Sequence, residues 1–131
     1  MEEIKKFVAK NKKYIYVFLV VLCGIIMCFP LFNEKLDVFK DDGIQHVIRI
    51  EETKKAIKNG VSTKVFYDLY NGFGYSWDIF YGNFTSIIPS IISIIANVDS
   101  VNAFKIFIGI VIILSGLSMY FSTLILFDNK E

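Results

Sequence analysis

Residues 14–32 read YIYVFLVVLCGIIMCFPLF, nineteen positions without a charge. An α-helix rises about 1.5 Å per residue, and crossing a hydrocarbon core of about 30 Å takes about 20 residues. The run is therefore long enough to span a membrane. Lys5, Lys6, Lys10, Lys12 and Lys13 precede it against Glu2 and Glu3. Lysines flanking a span hold that side in the cytoplasm, so the N-terminus is expected inside. No small-x-small cleavage site follows, and Val20-Val21-Leu22-Cys23 lacks the small residue that a lipoprotein motif sets before its cysteine. The expectation is a retained anchor rather than a removable signal. Cys23 and Cys28 lie within the run and point in different directions on a helix. They read as small apolar filler.

The rest of the chain carries the same stamp. Of 131 residues 54% are hydrophobic and 16% aromatic, with a mean hydropathy of +0.51. The apolar residues come in long uniform blocks instead of the periods of two or 3.6 that one-sided burial produces. Net charge is +1, and beyond the N-terminus no basic stripe exists that would favour nucleic acid.

Residues 33–78 are polar, with eight acids and seven bases. Such a density of charge cannot lie in lipid, and the direction of the first span places it outside the cytoplasm. Within it, Asp41 or Asp42 can cap a helix over 42–59, with Gly60 as the left-handed residue that ends it. Ile44, Val47 and Ile48 give its first half an apolar side. Glu51, Lys54, Lys55 and Lys58 break that side later. A helix packed at its start and solvated at its end, lying at the membrane surface, is expected.

The same helix holds the sole His and the sole Arg of the chain. At about 100° per residue, Asp42, His46, Arg49 and Thr53 share one stripe, with Asp41 beside it. An acid one turn before a histidine can orient its ring and raise its basicity. An arginine one turn later adds a fork of donors suited to a phosphate oxygen. The plain alternative is an N-cap followed by ordinary polar pairs on a surface helix. The one cofactor these residues suggest is a divalent metal, for which Asp41, Asp42 and His46 make an incomplete ligand set.

Residues 66–84 hold nine aromatics interleaved with Gly72, Gly74 and Gly82. Closely spaced glycines predict an irregular loop. Its Tyr and Trp residues, Tyr75, Trp77 and Tyr81 among them, suit either an interfacial belt or a stacking surface for a sugar ring or lipid headgroup. Residues 79–98 carry no charge but contain Asn83, Thr85, Ser86, Ser90, Ser93 and Pro89. A second span packed on neighbours is expected there, with a re-entrant or interfacial segment as the alternative. Residues 103–127 form a third apolar run, with Lys105 near enough to its start to snorkel. Ser118 and Ser122, with Gly109 and Gly116, give it points of close approach for other membrane helices.

Taken in order, Asp42-Gly43-x-x-His46-x-x-Arg49-Ile50, Ile57-x-x-Gly60, Tyr70-Asn71-Gly72-Phe73-Gly74-Tyr75 and Phe80-Tyr81-Gly82 resemble the N-terminal part of large bacterial polytopic membrane proteins. These are glycosyltransferases of the GT-C type, in the group labelled 6-pyruvoyl-tetrahydropterin-synthase-related or YfhO-like. The resemblance covers residues 14–98. It implies sugar transfer from a polyprenyl-phosphate donor on the outer face of the bacterial plasma membrane. Asp42, or alternatively Asp41, would be the catalytic acid of the first outer loop, and His46 and Arg49 would lie near donor phosphate or acceptor. Members of that group have many more spans, so the chain is expected to be an N-terminal piece or shortened relative, inactive alone.

The expectation is thus an all-α integral membrane protein with about three transmembrane helices and a helical extracytoplasmic loop after the first. Its expected partners are membrane lipid, a lipid-linked sugar and further transmembrane helices or another membrane protein. The competing expectation is a small non-enzymatic membrane protein whose outer loop binds a partner or a cell-envelope component.

Overall fold

The computed structural model describes residues 2–33, 42–66 and 68–127. Its helices are α1 (Glu2–Asn33), α2 (Gly43–Lys58), α3 (Trp77–Phe80), α4 (Phe84–Ala96) and α5 (Ser100–Phe127). Among the described residues there is no strand, only an antiparallel bridge between Phe66 and Tyr75. The chain divides into two compact units, Met1–Lys35 with Ile108–Glu131, and Leu36–Phe107.

In the first unit α1 lies against the later turns of α5. A Cβ added at Gly24 would sit 2.9 Å from Ile113 Cγ1, and one at Gly116 would sit 3.2 Å from Val20 Cγ1. Cys28 Sγ, 3.8 Å from Gly109 O, donates to that carbonyl. Contacts of 20 with 116, 24 with 113 and 28 with 109 run in opposite directions along the two helices, so they are antiparallel. Glycine lets the backbones approach where any side chain would hold them apart. Both cysteines are free thiols, Cys28 buried and Cys23 exposed.

Two helices are long and apolar enough to cross a membrane, Asn11–Phe32 and Ser100–Phe127. Ten large apolar or aromatic side chains between Tyr14 and Phe32 are exposed. Keeping an apolar side chain of that size in water instead of burying it forgoes about 1.5–3 kcal/mol when exposure is complete. These surfaces need an apolar cover.

The expected span over 79–98 is shorter than anticipated. Tyr81 is extended and closes α3 after one turn, and α4 runs for only 13 residues before Asn97 turns left-handed at φ 51°. Thirteen residues reach about 20 Å, short of a ~30 Å core. Two helices of spanning length, rather than three, are present among the described residues.

The second unit is built on α2. It begins after Asp42, which occupies the N-cap position without a side-chain capping bond. It ends as its sequence requires: Gly60 takes φ 64°, its N–H reaches Ile57 O at 3.2 Å, and the Val61 N–H reaches Ala56 O at 3.0 Å. That pair of bonds satisfies carbonyls the helix leaves open. The buried residues of α2 are Ile50, Thr53 and Ala56, and they pack on α4, whose buried residues are Ser86, Pro89, Ser90 and Ser93. Ser90 Oγ lies 2.8 Å from Ile50 O and 2.7 Å from Ser86 O, and its proton serves both. The first turns of α5 close the unit. Ser100 donates to Glu51 Oε2, and the Phe104 ring stacks on His46 at 5.5 Å.

This overturns one expectation. The side of α2 holding Ile44, Val47 and Ile48 is half-buried, whereas the deepest contact is made by the stripe that contains Thr53. Small residues on both helices allow close approach, and a hydroxyl–carbonyl bond replaces the larger apolar contacts the pattern suggested.

Candidate functional site

The polar stripe of α2 is therefore the docked face of that helix. Asp42 at its start is exposed, His46 and Arg49 are half-buried, and Thr53 is fully buried. Asp41 lies outside the described residues.

Arg49 sits at the centre. Its guanidinium carbon lies 3.1 Å from the centroid of Trp77 and 5.5 Å from that of Tyr81. The ring face carries negative electrostatic potential and holds a desolvated cation well. Trp77 and Tyr81, one turn apart around α3, stack at 4.5 Å. Tyr75 meets Trp77 at 5.1 Å, and Tyr70 meets Tyr75 edge-on at 5.8 Å. Four rings thus form a continuous row, and the arginine lies on the third, Trp77.

The loop that carries two of those rings is held by its own backbone. Phe66 and Tyr75 exchange N–H···O bonds at 3.0 Å each way, and the Gly74 N–H reaches Leu69 O at 3.0 Å. Between them Tyr70, Asn71, Gly72 and Gly74 all take positive φ. For Tyr70, a bulky side chain, that conformation is costly and persists only where the surroundings impose it. Beneath the loop lies a cavity of about 110 Å³ whose lining includes Gln45, Arg49, Leu69, Tyr70, Tyr75 and Trp77.

Burial pushes the Arg49 guanidinium below its ordinary range, and Tyr81, Asp42, Tyr75 and Tyr70 oppose the shift. Arginine starts so high that it stays charged. Its Nε is buried and has no hydrogen-bond partner among the described residues. The site holds a cation packed by rings with donor capacity unspent.

His46 departs from expectation. Burial is the main influence and lowers its pKa, Arg49 lowers it further, and Asp42 raises it by less. Asp42 O accepts the His46 N–H at 3.2 Å as an ordinary helix bond, but among the described residues no side-chain hydrogen bond or ion pair joins Asp42 to His46 or Arg49. The ring is oriented by Phe104 instead, and it is neutral near pH 7. Asp42 keeps the exposure a general base or phosphate-side carboxylate needs, one and two turns from the other two residues.

No family model, curated protein or solved structure matches the chain.

The structure brings Arg49, Tyr75, Trp77 and Tyr81 together. It places His46 on the α5 side of the same helix stripe. Tyr70 and Gln45 join the site without having been singled out in the sequence; the signal for Tyr70 was its place in the Tyr-Asn-Gly turn that the bridge closes. Among the described residues no group of three or more His, Cys, Asp or Glu could hold a metal, and one of the three suggested ligands, Asp41, is not among them.

Proposed function

We propose that this chain is the N-terminal part, or a shortened relative, of a GT-C-type membrane glycosyltransferase, and that its outer unit binds a polyprenyl-phosphate-linked sugar. The observation that carries the reading is Arg49, a half-buried cation on Trp77 with no anionic partner among the described residues. A phosphate would take up its unused donors, and the row Trp77, Tyr81 and Tyr75 offers π-faces to the apolar side of a sugar ring. The uncovered apolar surfaces of α1 and α5 support placement in a bacterial plasma membrane. The N-terminal lysines put residues 34–99 on the outer side.

In this reading Asp42 is the acid that matters. It accepts the proton of an acceptor hydroxyl as that oxygen attacks the anomeric carbon, and the bond to polyprenyl phosphate breaks. Arg49 stabilises the charge that collects on the departing phosphate. His46, held neutral, borders the phosphate side. Transfer needs further transmembrane helices to complete the cavity, so the chain alone binds without turnover.

Native mass spectrometry of the chain in phosphatidylcholine nanodiscs tests this. A polyprenyl-phosphate sugar should be retained at least tenfold over the matching polyprenol, and Arg49→Ala should remove the preference. Equal retention of both lipids would overturn the proposal.

A second reading has one observation in its favour: among the described residues no side-chain bond joins Asp42 to His46 or Arg49. Here the chain is a small membrane protein, Arg49 on Trp77 is a latch holding the aromatic loop to α2, and a partner or cell-envelope component binds elsewhere on that loop. It predicts that Asp42→Ala matters no more than Lys58→Ala to any binding measured.

A further inference from the structure

Helix α4 is built inside out for water. Around its axis, spacings of four, three and four place Phe84, Ile88, Ile91 and Ile95 on one stripe within about 60° of arc. Ser86, Pro89, Ser90 and Ser93 fall on the opposite side, and those four are the buried ones. Phe84 is 67% exposed and Ile95 80%, while Ile91 is exposed and Ile88 half-buried. A helix at the surface of a water-soluble domain shows the reverse, apolar stripe inward and hydroxyls outward.

The hydroxyls are turned inward for a reason that can be read atom by atom. Ser90 Oγ bonds Ile50 O on α2 and Ser86 O on its own helix. Ser86 Oγ bonds Asn83 O at 2.9 Å, and Ser93 Oγ closes on Val98 O at the turn into α5. Each hydroxyl is satisfied internally, which is what a polar group requires where water is missing. Residues 79–98 carry no charge, so nothing on this segment resists removal from water.

We infer that the Phe84–Ile88–Ile91–Ile95 stripe is covered by lipid acyl chains, and that α4 lies in the membrane as a short, non-crossing helix. Its length of about 20 Å fits the interfacial zone and falls short of a span. The bilayer is within reach, because only Asn97, Val98 and Asp99 separate α4 from α5, a helix of spanning length. Three such residues extend about 10 Å. Through the Ser90–Ile50 bond α4 then serves as the base on which α2 is carried, so the helix of Asp42, His46 and Arg49 is held at the lipid surface whatever it binds.

Trp77 is the sole tryptophan, which makes the test direct. In a Trp77→Phe background, Ile95→Trp is compared with Ser62→Trp, an exposed loop position, in nanodiscs made with lipids brominated along their acyl chains. The tryptophan at 95 should be quenched at least twofold more than that at 62, and Ile91→Trp should behave like 95. Stronger quenching of 95 by aqueous iodide than by brominated lipid would overturn the inference. So would protection of 95 from both quenchers, the result expected if a second copy or another protein helix covers the stripe. On the unaltered chain, a phosphatidylcholine with a photoreactive group in its acyl tail should label residues 84–96 within about twofold of residues 14–32. Labelling at the level of residues 55–62 would equally overturn it.

Discussion

Two surfaces meet helix α2, and they hold it by different chemistry. On the α4 side the contact is small and nearly saturated: Ile50, Thr53 and Ala56 pack on α4, whose buried serine hydroxyls all find acceptors, and Thr53 Oγ1 alone is without one among the described residues. On the aromatic side two rings, Trp77 and Tyr81, hold one guanidinium whose Nε has no hydrogen-bond partner among the described residues. The first surface fixes where the helix lies. The second leaves Arg49 held by ring faces, with no side-chain acceptor among the described residues.

Substitutions can break either half of that contrast. Ile50 is fully buried at the point where Ser90 reaches its carbonyl, and Ile50→Ala should cost about 2–5 kcal/mol through the cavity it leaves. Thermal unfolding of the chain in nanodiscs reads this out. Arg49→Ala should lose at least tenfold in retention of a polyprenyl phosphate while costing only about 1–2 kcal/mol of stability, the worth of a desolvated cation on a ring. A loss as large as that of Ile50→Ala would make the arginine a structural pin and erase the contrast. Ser90→Ala removes one hydroxyl bond between helices and should destabilise by about 1 kcal/mol.

Thr53 sharpens the comparison from the other direction. It is fully buried and its Oγ1 has no partner, the one imperfection on the α4 side. Thr53→Val keeps the shape and removes the orphan hydroxyl, so stability should hold or rise by up to about 1 kcal/mol. The smallest effect is set by pH. The pKa of His46 is lowered in the fold, mainly by burial, so the unfolded chain takes up its proton first. The stability present above about pH 6.5 should decline as pH falls through the lowered value. In His46→Gln that decline should vanish from this range. Asp99, held low by bonds from Asn102, acts in the same sense below the ordinary aspartate range, and its contribution should persist in the variant.

Much of the architecture was legible in the sequence because it rests on run length and on single punctuating residues. Uncharged runs marked the apolar stretches of α1 and α5, and Gly60 stands just past the end of α2; of the two caps expected, Asp42 holds the N-cap position without a side-chain bond and Asp41 lies outside the described residues. The glycines after Tyr70 announced a loop, and Gly109 and Gly116 announced close helix contacts. The packed side of α2 was not legible, because contacts among Thr, Ala and Ser leave no apolar period to read. The end of α4 was hidden for a related reason: no charge marks it, and the break comes from an extended Tyr81 and a left-handed Asn97. At the site, helical spacing aligned Asp42, His46 and Arg49 but could not show that rings from a loop more than twenty residues later would claim the arginine. Nor could it show that burial would outweigh Asp42 in setting the charge of His46.

In the proposed function Arg49 is held on Trp77 in readiness for a phosphate. Because Trp77 is the sole tryptophan and carries the guanidinium on its face, its emission reports that contact directly. Titrating the chain in nanodiscs with a polyprenyl phosphate should give a saturable change in Trp77 emission as the guanidinium turns to the anion. Neither the matching polyprenol nor the Arg49→Ala chain should produce it. A change of equal size with polyprenol, or one that survives Arg49→Ala, would contradict the account.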